Sequence, residues 1–99
     1  TLPWLVDHMA VAPEAIYAEA MATAGVMNCH DIASRGVLGQ QVFIEMHMVV
    51  NADDLSTAHR ITEQVEERLE GSFGPVRCTI HLEPKEYVEE GITYTGAHG

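Results

Sequence analysis

The chain has 99 residues, enough for one domain whose modest core would gain from association with another copy. Its 46% hydrophobic and 20% charged composition suits a globular protein, but five Lys and Arg against fifteen Asp and Glu give a formal net charge of −10, which argues against nucleic acid and favours cations. Two cysteines, Cys29 and Cys78, are too few for a disulfide framework and read as reduced thiols in a cytosolic setting, and the longest apolar run, 42–50, is broken by Glu45 and His47 and too short to span a bilayer.

Residues 1–12 read as a linker leading out of a membrane portion. Pro13 suits the first position of a helix that runs through Met21, with Glu14 at its positive end, Gly25 as its C′ residue, and Ile16 and Ala20 on one face. Residues 27–35 form a weak strand, Gly36–Gly39 a turn, and 42–50 a long β-rich central strand, so the simplest arrangement is a hairpin. Asn51-Ala52-Asp53-Asp54 supplies the N-cap of a second helix over 55–70, whose stripe is Ala58, Ile61, Val65 and Leu69 and whose end is Gly71. A third strand covers 76–83 and stops at Pro84; 85–99 is a polar, Gly-containing segment expected to be a flexible tail.

The order α-β-β-α-β predicts an α+β sandwich: a three-stranded mixed sheet with two helices on one face. The first two strands pair antiparallel. The second and third are joined by a helical crossover and so run parallel with right-handed connection. On the third strand Val76, Cys78, Ile80 and Leu82 share one face as core, and Arg77, Thr79, His81 and Glu83 share the other.

This topology locates the histidines. A hairpin folded about residues 38–39 sets His30 opposite His47, and a parallel third strand brings His81 and Glu83 to the same end of the sheet, where the second helix begins with His59. Imidazole and carboxylate suit zinc and other divalent transition metals, so His30, His47, His59, His81 and Glu83 are candidate ligands, enough for two adjacent ions sharing Glu83. Cys29, next to His30, is an additional candidate. Cys78, Met46 and Met48 face the core, and His8 and His98 fall in the linker and the tail. No nucleophile elbow, phosphate loop or catalytic triad is present in the sequence, so an enzyme is not expected.

The stretches "LVD" (5–7), "HDIASRG" (30–36), "VFIEMHMVV" (42–50), "STAHRITEQVEERL" (56–69) and "CTIHLEP" (78–84) together resemble the cytoplasmic C-terminal domain of the cation diffusion facilitator metal transporters. The resemblance implies a metallochaperone-like, ferredoxin-like fold for residues 13–84. It also implies a V-shaped homodimer beneath a membrane transporter, attached to the membrane only through a separate transmembrane domain. Zinc-type ions bind such domains near the dimer interface and favour a closed dimer. Their ligands match His30, His47, His59 and His81, with Glu83 standing where aspartate is usual. The expected function is therefore the cytosolic regulatory domain of a divalent-cation (Zn2+) efflux transporter. The alternatives are a free-standing metallochaperone or metal buffer, and a dimerisation module that binds no metal.

Overall fold

The computed structural model describes residues 9–86. In chain order it contains α1 (Pro13–Met21), β1 (Val26–Val37), β2 (Gln41–Val50), α2 (Leu55–Phe73) and β3 (Val76–Glu83). The sheet order is β1-β2-β3, with β1 antiparallel and β3 parallel to the central β2. This is the expected α+β architecture. His8, His98 and the expected tail beyond residue 86 lie outside the described residues.

The two helices pack on one face of the sheet. β2 alternates from Val42 to Met48 and ends in three buried residues, and Val42, Ile44, Met46, Met48 and Val50 meet Ile16 and Ala20 of α1 and Ala58, Ile61, Val65 and Leu69 of α2 in one buried cluster. Met46 and Met48 are fully buried, as a core reading requires. Each large aliphatic side chain buried here contributes about 1.5–3 kcal/mol relative to exposure. Val11, placed in the linker by the sequence, is buried with them, and the Ser34 hydroxyl both accepts from its N–H at 3.0 Å and donates to its carbonyl at 2.9 Å.

Three local expectations need correction. α2 runs through Gly71 to Phe73, because a glycine inside a helix costs only about 1 kcal/mol and Val65 and Leu69 already anchor the preceding turns. The residue that stops it is Gly74, at φ 82°, with Asp54 capping the other end by accepting the Thr57 N–H at 2.7 Å. Gly25 does not cap α1, which ends at Ala22; at φ 95° it turns the chain into β1, directly beneath Ile61. Finally, Leu82 does not belong to the core: it is 41% exposed at the end of β3 and lies outside the cluster against which Val76, Cys78 and Ile80 pack.

β1 shifts register twice against β2, between Val26 and Asn28 and between His30 and Ala33, and the second shift decides which way the side chains around His30 face. His30 pairs with His47, but Ala33 pairs with Glu45, so β1 uses two residues, Asp31 and Ile32, where β2 uses one. Asp31 sits in this bulge at φ 54°, the one non-glycine residue with positive φ among the described residues. The extra residue exchanges the two faces of the strand. Before it, Cys29 points to the core and His30 to the open face; after it, Ile32 packs against the core and Ser34 reaches Val11 from the same side.

Candidate metal centre

The open face of the sheet holds one row of histidines. His30 on β1, His47 on β2 and His81 on β3 are mutual register partners. Their rings stack in sequence: the His30–His47 centroids are 5.2 Å apart at an interplanar angle of 29°, and His47–His81 are 4.7 Å apart at 24°. The hairpin register sets His30 opposite His47, and the separate parallel register of β3 sets His81 on the other side of His47.

Glu83 closes over two of the three. It pairs with Val49, two positions beyond His47 on the central strand, and its side chain reaches back across the sheet. Oε1 lies 2.9 Å from His30 Nε2 and Oε2 lies 3.0 Å from His47 Nδ1. One ligand atom from each of His30, His47 and Glu83 falls within 4.8 Å of the others. Ligands around a tetrahedral zinc at about 2.1 Å stand roughly 3.4 Å apart, so only small ring and carboxyl rotations separate these contacts from a coordination shell.

The electrostatics follow from the same contacts. The Glu83 hydrogen bond, reinforced by its charge and that of Asp31, holds the His30 pKa above its ordinary 6.5 against the opposing effect of burial. Burial alone would raise the Glu83 pKa, but hydrogen bonds and charge from His30 and His47 together outweigh it and hold the carboxyl below 4.5. The trio is thus a carboxylate clamped between two imidazoles, which is the charge pattern that a dication would take over.

The remaining candidates fall elsewhere. His81 turns its Nε2 to Glu45 Oε2 at 3.1 Å, beside the trio rather than in it. His59 is exposed on α2 and pairs one turn along with Glu63, Nε2 to Oε2 at 3.1 Å. Cys29 points into the core with its thiol pushed up to about 11 by burial, which leaves it a poor ligand for an ion on the far face. Two acidic residues at the site were not singled out from the sequence. Glu45 precedes His47 by two on a strand and so shares its face, a signal the period of two contained. Asp31 adjoins His30, with Oδ2 3.3 Å from Nδ1, a contact created by the bulge.

Residues 11–85 match the family described as cation efflux protein, cytoplasmic domain, and the chain belongs to that family. Among solved structures it is similar to CzrB, provisionally assigned as a zinc transporter, with 30% identity and a TM-score of 0.64 over 75% of this chain and 96% of that one. The zinc form of CzrB aligns over 84% of this chain and 90% of its own length, with a TM-score of 0.62 and 30% identity. The metal-bound C-terminal domain of the CzcD transporter from Thermotoga maritima aligns with a TM-score of 0.59 and 30% identity over 70% and 81% of the two chains. No match was found among curated proteins. The family is one of transporter domains rather than an enzyme class. Among the described residues no helix is long and apolar enough to cross a membrane.

Proposed function

We propose that this chain is the metal-sensing regulatory domain of a divalent-cation efflux transporter. It takes up Zn2+, or another divalent transition ion, on the open face of its sheet and works as a homodimer whose closed form the ion favours. The observation that carries this reading is the convergence of His30, His47 and Glu83 within 4.8 Å. Two imidazoles and a carboxylate are a donor set that zinc accepts. His30 would bind through Nε2 and His47 through Nδ1, the atoms that already face Glu83. His81 and Glu45 stand beside them as donors to a neighbouring ion, and His59 as a donor reached from α2. The net charge of −10 raises the local cation concentration around this face.

Calorimetric titration of the metal-free domain with zinc tests the proposal, with Glu83→Ala as the comparison. The parent should bind with an affinity that falls at least tenfold in Glu83→Ala, about 1.4 kcal/mol. Spin labels on the two protomers should draw closer when zinc is added and separate when it is chelated. A parent domain that gave no binding heat, or a label distance indifferent to zinc, would remove the sensing role.

A further inference from the structure

We infer that Asp31 is a positioning residue for this metal centre: its left-handed backbone forms the bulge that brings His30 to the open face, and its carboxylate holds His30 at Nδ1 so that Nε2 is presented to the ion. The inference rests on the assignment of His30 as a ligand made in the preceding section.

Three observations meet at this residue. The first is conformational. A positive φ of 54° disfavours most side chains, and aspartate is among the few that tolerate it. The second is topological. Without the extra residue between His30 and Ala33, β1 could not place His30 on the open face and also Ile32 in the core, because alternate residues along a strand share a face. The third is chemical. His30 has a carboxylate beside each ring nitrogen: Nε2 is hydrogen-bonded to Glu83 at 2.9 Å, and Asp31 Oδ2 lies 3.3 Å from Nδ1 in a charge-pair contact. When an ion replaces the proton at Nε2, the remaining ring proton must sit on Nδ1, and Asp31 is the group there to accept it. A carboxylate behind a ligating histidine fixes the ring orientation and raises its basicity, and losing such a partner typically weakens metal binding about 10–100-fold.

Substitutions that preserve the bulge isolate the part played by the carboxylate. Asp31→Gly keeps the left-handed conformation and removes the carboxylate. Asp31→Asn keeps the conformation and an acceptor oxygen. Each variant is measured for zinc affinity by competition with a chromophoric chelator and for melting temperature in chelator. The His30 Nδ1–H resonance of the zinc-loaded, 15N-labelled domain is recorded as well.

Asp31→Gly should weaken zinc binding by about 10–100-fold without lowering the metal-free melting temperature, and should lose the protected Nδ1–H signal. Asp31→Asn should recover affinity to within about threefold of the parent and retain the signal, since its acceptor oxygen still faces the ring. Parent-like affinity in Asp31→Gly, or an unchanged Nδ1–H signal there, overturns the inference while leaving the metal centre intact. A parent domain that takes up no zinc overturns the centre itself, and the role of Asp31 with it.

Discussion

His47 and His81 occupy matching positions on parallel strands, and their rings stack at 4.7 Å, yet they turn their nitrogens to different carboxylates. His47 Nδ1 addresses Glu83 and His81 Nε2 addresses Glu45. Neighbours in register therefore do not share one carboxylate. His47→Ala removes a nitrogen from the trio and should weaken zinc binding about a hundredfold, ~2.7 kcal/mol, whereas His81→Ala should cost about tenfold, ~1.4 kcal/mol. Calorimetry on the two variants checks the order. A reversed ranking would move the principal ion toward β3. Neither variant should lower the metal-free melting temperature appreciably, because both rings lie on the face away from the core, and Arg77→Ala, farther along the same face of β3, should leave zinc affinity intact.

The His30–Glu83 pair fixes a pH dependence in the absence of metal. His30 has a folded pKa above 6.5, so its contribution is fully present below 6.5 and fades as pH rises through the raised value. Glu83 has a folded pKa below 4.5, so its contribution is present above 4.5 and fades as pH falls through the lowered value. Both act together between these limits. In chelator, the urea midpoint should be higher at pH 5.5 than at pH 8.5 by more in the parent than in Glu83→Gln. Equal differences in the two proteins would show that the pair is not coupled in solution. Both groups are partly solvated, so the effect should be small.

Zinc binding should follow the opposite course. The ion competes with protons for the imidazoles, and His30 holds its proton to higher pH than a free histidine does. Affinity should therefore begin to fall above pH 6.5 and drop steeply toward pH 5.5. A flat profile over pH 7.5 to 5.5 would mean that carboxylates alone hold the metal.

A core prediction separates folding from function. A Cβ added at Gly25 would meet Ile61 Cδ1 at 2.6 Å and Cγ1 at 2.9 Å, on a backbone at φ 95°. Gly25→Ala should cost about 1–3 kcal/mol in thermal or urea unfolding. Zinc affinity of the folded fraction should stay at the parent value, since Ile61 packs on the helical side of the sheet. Loss of zinc binding without loss of stability would contradict this division.

The oligomeric state follows from the open face. Phe43 is 45% exposed there, with Val37 and Leu38 exposed on the hairpin below it. Light scattering at micromolar concentration should give about twice the 10.9 kDa chain mass, and a strictly monomeric species with and without zinc would exclude the homodimer.

Much of this arrangement was legible in the sequence because it follows from periodicity. The stripe of α2, the alternation of β2 and the span of β3 place Ile61, Met46 and Ile80 without ambiguity, and the parallel crossover places His81 beside His47. What the sequence left hidden is local backbone geometry. The bulge at Asp31 is a choice between two registers with similar side chains. Its outcome depends on burying Ile32 and tying Ser34 to Val11, contacts made only in the folded domain. The end of α2 is hidden for a related reason: Gly71 looks like a stop, whereas in the fold the helix continues to Phe73, which packs against the core, and Gly74 ends it. Position along the helix brings His59 to the histidine end of the sheet, and its direction around the helix turns the ring outward to Glu63.

Glu83 and His30 stand 53 residues apart in the chain, and the contact between them spans both outer strands. Joining them requires β3 to have crossed α2 and docked beside β2, a non-local step whose loop-closure entropy is spent before its contacts form. A chain whose β3 has not docked has no Glu83 in place to offer. A bound ion would therefore act as a late clasp: it would do little to hasten folding but would slow the release of β3, and the lifetime of the closed sheet would report how much zinc is at hand.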